Sequence, residues 1–293
     1  MKNIVSWLAL VVAVVALGFV IVCPAGQQSA AKQETAFDRV MRTRTIRCAY
    51  TVWPPHFMID PNTKEKSGID YEVMEAIGRV TNLKIDWQAE VGIGVAAEQL
   101  QSGKQDVFCA ALWENGRRAQ RLDMSRPIDF MPLYAYVREE NSRFDGNNSA
   151  INNENASIAV VDGSAQKAIA DSLFPKARQY SLVGDVDPTQ SFLVVGTGKA
   201  DVVFSDQASI DDYNAHNPTH KLRRVTGASA LRIYGDVFSV AKGEYGLRDL
   251  LSVAINELQN DGTLDRILDK YKVAAGSLLR VAKPYVDSET PER

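Results

Sequence analysis

Apolar and polar positions alternate along this chain in short blocks, and the blocks predict strands and helices in turn. Residues 46–50 have strand character and end at Trp53-Pro54-Pro55, because proline cannot extend a central strand and disfavours helix in the residue before it. A polar turn at 61–68 precedes residues 70–80, where Val73, Ile77 and Val80, with Met74 beside them, recur at the spacing of one buried helix face. Residues 83–87 predict a strand, 95–102 a helix stopped by Gly103, and 107–112 a buried strand. After an asparagine-rich stretch at 141–155 the cycle restarts. It runs through a strand at 157–161, a turn with a helix cap at Ser164, a helix at 165–173 ended by Pro175, a strand at 180–183, a helix at 190–197 and a strand at 201–204. A strand at 234–241 and amphipathic helices at 247–258 and 264–271 close the pattern, with Leu250, Leu251, Ala254 and Leu258 on the apolar face of the first. Strands alternating with helices at this spacing predict an α/β fold of βαβ units around parallel sheet. No sequence repeat is identifiable, but the order of elements in the two halves is alike.

The N-terminus departs from this pattern. Lys2 precedes an apolar stretch from 4 to 22, interrupted only by Ser6 and Gly18 and followed by polar residues, which is the pattern of an export leader. Its length suits either a cleaved signal peptide or an uncleaved spanning helix, so residues 1–33 are expected to be a signal peptide or a membrane anchor with a linker. Cys23 invites lipidation, but Val22 stands where such sites want a small residue. The remainder of the 293 residues suits two lobes of roughly 100 residues each. The formal net charge of −3, from 33 Lys and Arg against 36 Asp and Glu, gives no general attraction to nucleic acid or anionic lipid.

Two segments carry the candidate chemistry. Trp113-Glu114-Asn115-Gly116-Arg117-Arg118 and Val202-Val203-Phe204-Ser205-Asp206 each follow or include a short apolar run that reads as a buried strand. A fixed cation at one strand end and a fixed anion at another match a zwitterion, which points to capture of an amino-acid-like solute. Cys48 and Cys109 each end a predicted strand; in an oxidising compartment they are disulfide candidates, with two small buried side chains as the alternative. Neither has a second ligand at zinc spacing, so no metal or cofactor is expected. Of the histidines, His216 and His220 fall in a polar loop and His56 has no triad spacing; no catalytic residue is assigned.

The order of segments from 45 to 273 resembles the family 3 extracellular solute-binding proteins, the receptors of amino-acid ABC importers. The residues that carry the resemblance are Trp53-Pro54-Pro55 followed by Phe57, Gly68-Ile69-Asp70, Leu100-Gln-Ser-Gly-Lys-Gln-Asp106, Arg117-Arg-Ala-Gln-Arg-Leu-Asp-Met-Ser125 with Pro127, Gly198-Lys-Ala-Asp-Val-Val203 with Asp206, and Leu258-Gln-Asn-Asp-Gly-Thr-Leu264. The resemblance implies a two-lobed periplasmic-binding-protein type II fold, each lobe a mainly parallel sheet flanked by helices. Lobe 1 is expected from 45–135 plus 237–274, lobe 2 from 136–236, and a tail from 275–293, with chain crossings near 136–138 and 234–236. The ligand would be enclosed between the lobes.

Arg118 falls where the family places its ligand-carboxylate clamp, and a guanidinium fork suits that partner. Asp206 falls where the family keeps the carboxylate for the ligand ammonium, with a helix cap as the alternative. Trp53 matches the aromatic that packs on the ligand, and Ser164 the second-lobe helix start, where backbone N–H groups suit an anion. The chain departs from the family at Ala111 and Trp113, which replace a glycine and a threonine, and at Glu114. Trp53 and Trp113 are therefore expected to sandwich a flat or cationic group. The implied protein is a monomeric extracytoplasmic receptor with an amino-acid-like ligand and an ABC permease as partner, held to the membrane if its leader is uncleaved. Two other readings remain open: a dehydratase of prephenate-type acids using Arg118 and Glu114, and a membrane-anchored sensory module.

Overall fold

Buried strands are read from both faces here, and the burial shows it directly. Along the strand Val107–Trp113, Val107, Cys109 and Ala111 enter one apolar cluster while Phe108, Ala110 and Leu112 enter another on the opposite face, as the two-residue period of a strand requires. The structure, a computed structural model, describes residues 34–162, 164–183, 189–271 and 276–282. The expected leader with Cys23, residues 272–274 of the expected first lobe, and the tail from 283 lie outside the described residues. Among the described residues no helix is long and apolar enough to cross a membrane.

In chain order the first elements are α1 (Ala36–Thr43), β1 (Thr45–Tyr50), the hairpin of β2 (Met58–Ile59) and β3 (Lys66–Ser67), α2 (Ile69–Thr81), β4 (Lys84–Glu90) and α3 (Ala96–Gln101). Next come β5 (Val107–Trp113), α4 (Gly116–Ala119), β6 (Leu122–Met124) and β7 (Asp129–Arg138). The second half holds β8 (Ser157–Val161), α5 (Ala165–Leu173), β9 (Arg178–Leu182), α6 (Thr189–Gly196), β10 (Val202–Ser205), α7 (Gln207–His216) and β11 (Leu222–Arg224). β12 (Arg232–Ala241), α8 (Tyr245–Asn260) and α9 (Thr263–Lys270) complete it.

The main sheet runs β4-β1-β5-β12-β7-β10-β8-β9, with β6 also on β12 and β11 also on β7. Its flanks are parallel, β4-β1-β5 on one side and β10-β8-β9 on the other. Its centre is antiparallel, through β5-β12, β12-β7 and β7-β10. The flanks have separate cores. One contains Ile46, Val73, Met74, Ile77, Leu247, Leu251, Ala254, Ile255 and Leu258; the other contains Met131, Leu133, Ala135, Ile158, Val160, Ile169, Val202 and Phe204. Met131, Leu133 and Ala135 thus already pack in the second core, ahead of the expected crossing at 136–138.

Each parallel flank is fastened by the same local device. The buried Asp106, just before β5, accepts the N–H of Arg47 in β1 at 2.7 Å and is also gripped by the guanidinium groups of Arg39 and Arg47. Asp201, just before β10, accepts the N–H of Ser157 in β8 at 2.9 Å and pairs with Arg143 at 3.0 Å. Each aspartate follows a Gly-Lys-X triplet, and both glycines, Gly103 and Gly198, have positive φ. The two Gly-Lys-X-Asp motifs among those that carried the family resemblance are therefore strand-registering devices, repeated in the two halves.

Two sequence expectations change. Val80 is 38% exposed in the last turn of α2, and Ala76 takes the buried place. Leu250 is only partly buried, with Leu247 and Ile255 completing the α8 face.

Cys48 and Cys109, on neighbouring parallel strands, form a disulfide with Cα atoms 5.5 Å apart and a sequence separation of 61. Closing a loop of that length in the unfolded chain stabilises the fold by about 2–4 kcal/mol. Replacing both cysteines by alanine is expected to lower the unfolding free energy by that amount, read from denaturant midpoints. Equal midpoints for the oxidised and double-alanine proteins would contradict it.

Candidate functional site

The candidate residues gather where β5 and β12 meet the second half of the sheet. β5 ends at Trp113, and Asn115 then starts α4 by accepting the Arg118 N–H at 3.0 Å on its side-chain oxygen. That cap turns the chain so that the half-buried Arg118 reaches back, its Nη1 donating to the Trp113 carbonyl at 2.6 Å. Burial lowers the Arg118 pKa, and Asp236 and Tyr234 nearby oppose the shift. Glu114 is exposed; its N–H donates to the Gly235 carbonyl at 3.0 Å, which clamps β5 to β12. A Cβ on Gly235 would lie 2.8 Å from Glu114 Oε1 and 2.9 Å from the Pro127 ring, so the glycine gives those side chains their room.

Asp206 is 2% exposed and caps α7. Its Oδ1 accepts the Ser209 N–H at 2.8 Å and its Oδ2 the Ser209 hydroxyl at 2.6 Å. Ser209 Oγ in turn accepts the indole N–H of Trp53 at 3.2 Å. A relay from Trp53 through Ser209 to Asp206 therefore joins the segment after β1 to α7, 156 residues away in sequence. Trp53 also packs against the second core, although β1 just before it contributes Ile46 and Cys48 to the first. Tyr136 lies behind Asp206 and donates to Gln207 Oε1 at 3.1 Å; burial first, then the Asp206 charge, raises its pKa.

The two indoles do not face each other across a gap. Their ring centroids are 5.6 Å apart at an interplanar angle of 69°, edge to face, so the expected sandwich is not formed. The reason is that each ring has another stacking partner: Trp113 lies on Tyr234 at 5.9 Å and 8°, and Trp53 on His56 at 5.1 Å and 26°. Aromatic pairs prefer such offset or edge contacts. Ser164 caps α5, its Oγ accepting the Lys167 N–H at 3.1 Å. The structure thus brings Trp53 together with Ser209 and Asp206, and Trp113 with Tyr234 and Arg118. It places Ser164 at a separate helix start.

A group that sequence spacing missed lies directly beneath these rings. His56, Asp70, Asp129 and Asp236 are each at most 1% exposed. His56 Nδ1 is 3.2 Å from Asp70 Oδ1, whose other oxygen accepts the Ala111 N–H at 2.7 Å. The backbone fixes this contact: the Asp70 N–H donates to the His56 carbonyl at 2.8 Å across the turn at Gly68. Gly68 has φ 117°, and a Cβ there would stand 2.3 Å from the His56 oxygen, so the turn requires glycine. Asp236 and Asp129 are direct register partners on β12 and β7. Burial raises both carboxyls' pKa values, each carboxyl adding to the strain on Asp236 while His56 relieves it. Burial works to lower the imidazole pKa, but Asp70 foremost, then Asp129 and Asp236, carries it up to about 10. Asp70 stood inside a recognised motif and His56 three residues after Trp53; only the fold shows that they meet Asp129 and Asp236.

The comparisons agree with this architecture. The sequence model of the bacterial extracellular solute-binding proteins, family 3, matches residues 46–274. The amino-acid-binding protein AabA of Dichelobacter nodosus is 25% identical over 236 residues, covering 78% of this chain and 87% of that protein. Among solved structures, the ancestral amino acid-binding protein AncCDT-1, a precursor of cyclohexadienyl dehydratase, superposes with TM-score 0.66 at 20% identity over 81% of this chain and 99% of that one. The periplasmic domain of BvgS from B. pertussis gives TM-score 0.68 at 20% identity over 82% and 45%. The shared fold is the two-lobed α/β fold of periplasmic binding proteins.

Ser209→Ala deletes both side-chain bonds of the relay while leaving the Asp206 cap on the backbone. It is expected to reduce unfolding free energy by about 1–2 kcal/mol. An unchanged chemical-denaturation midpoint would show the bridge to be energetically silent.

Proposed function

The chain belongs to the bacterial extracellular solute-binding proteins, family 3, and we propose that it is an extracytoplasmic receptor that captures an amino-acid-like small molecule between two lobes for delivery to an ABC importer. The observation that supports this most is a half-buried guanidinium just after β5 and a buried carboxylate just after β10, linked through the Trp113–Trp53 contact and Ser209. Ligands of open α/β sheets bind at such carboxyl ends of strands. In this reading the lobes are those expected from sequence except that residues 131–135 of β7 go with the second, and β7 and β12 carry the hinge. Arg118 takes the ligand carboxylate, Asp206 the ammonium, and Trp53, Trp113 and Tyr234 the side chain; Ser164 lines the second-lobe rim. Only a closed arrangement satisfies both charges of the ligand, so binding shifts the population toward closure.

The reading is of binding rather than conversion. A general acid needs a carboxyl of raised pKa near the leaving group, and Glu114, the candidate acid, stands exposed. The apolar stretch at 4–22 and the similarity to a sensor's periplasmic domain favour a second role, a tethered sensory binding module. Release by osmotic shock would separate a free receptor from a tethered one, which stays with the membranes.

A thermal-shift screen of amino acids, amines and small organic acids identifies the ligand class, since a specific binder raises the melting temperature. With the best binder, Arg118→Ala and Asp206→Asn, the latter keeping the helix cap, are each expected to weaken binding more than tenfold by calorimetry. That corresponds to about 1.5–3 kcal/mol for a lost charged hydrogen bond. Unchanged dissociation constants in both variants would remove these residues from the site.

A further inference from the structure

Three side chains from distant parts of the sequence converge below the aromatic floor with buried polar atoms that no donor from the rest of the described residues satisfies, Asp129 and Asp236 having only a proton shared between them to join their carboxyls. They are His56 through Nε2, Asp129 through both carboxylate oxygens and Asp236 through both of its oxygens, all fully buried. One ligand atom from each lies within 4.8 Å of the others. The His56 Nε2 to Asp236 Oδ2 distance is 3.8 Å, too long for a hydrogen bond and close to the separation of two donors that share one ion. Donors at roughly 2.1 Å from a tetrahedral cation stand about 3.4 Å apart, so the group closes around an ion with side-chain shifts of ångström size.

We propose that His56, Asp129 and Asp236 form a binding site for one divalent transition cation. The donor set is mixed: imidazole suits zinc and its neighbours, and carboxylate suits the harder manganese. The two carboxylates balance the charge of a dication. It would also offset the repulsion between them, because they lie directly opposite each other on adjacent strands, where like charges destabilise the pairing. Asp70 completes the arrangement. By accepting from Nδ1 at 3.2 Å it fixes the tautomer in which Nε2 presents a lone pair toward Asp129 and Asp236, the carboxylate–imidazole–metal order of outer-shell support. A cation takes the place of the proton on Nε2, so protons are its competitors. The expectation of no metal from the sequence considered cysteine spacing, and this site contains no cysteine.

The site joins the segment before α2 to β7 and β12, so occupancy would tie the crossing strands to the first half of the fold. The proposal is independent of the solute reading, and its test needs no solute. Full-length protein treated with chelator and dialysed is titrated with Zn²⁺ and, separately, Mn²⁺. Bound metal per chain is measured by elemental analysis, and melting temperature is recorded with and without metal. The expected result is one ion per chain with a raised melting temperature for at least one of the two metals. Asp236→Asn and Asp129→Asn should each weaken affinity at least a hundredfold. Asp70→Asn should weaken it 10–100-fold while keeping the stoichiometry of one. Sub-stoichiometric binding of both ions at millimolar concentration would overturn the proposal and leave protons as the neutralising charge. Equal affinity in folded Asp236→Asn and Asp129→Asn proteins would overturn it as well.

Discussion

Because β7 and β12 lie side by side at the middle of the sheet, one short run of antiparallel pairing, from Arg232 opposite Leu133 to Asp236 opposite Asp129, joins one flank to the other. Both cores hang from those strands. Their pairing has to tolerate two buried carboxylates in direct register, and the surroundings are organised to permit it. Gly68 and α2 bring Asp70 and His56 against them, while Gly235 leaves room for the Pro127 ring and the Glu114 side chain beside β12. The positions of Trp53, Trp113 and Tyr234 follow, since each ring rests on His56, on the strand that carries Asp236, or on another of the three. The electrostatics of the middle and the shape of the site are therefore one problem.

Much of the fold was legible because its strands and helices alternate with clean periods. The blocks at 157–161 and 165–173 coincide with β8 and α5, where apolar spacing and a serine cap give local signals that tertiary contacts do not override. Elements held by long-range pairing were not legible in full. β6, β11 and the first half of β7 carry polar residues or proline, such as Asp123, Arg223 and Pro132, and become strands only because β12 or β7 offers them partners. Likewise the two Gly-Lys-X-Asp motifs look like family markers in sequence, and only the contacts of Asp106 and Asp201 reveal a shared mechanical role.

The site divided in the same way. Arg118 and Asp206 could be nominated because each follows a buried strand, a position with a physical meaning that spacing preserves. The geometry of the indoles could not be read, because it depends on stacking with Tyr234 and His56, and no periodicity encodes which rings will meet. Ser209 was missed for a related reason: its hydroxyl looks like an ordinary helix residue until Trp53 arrives from the other half of the chain.

The indole of Trp53 follows the strand that gives Ile46 and Cys48 to one core and is seated against the other. Drawing the halves apart would strip that ring of its neighbours and hand a large apolar face to water, a penalty growing at roughly 25 cal/mol for each Å² uncovered. The ring is in that sense a clasp between the two cores, and its burial opposes any motion that would part them.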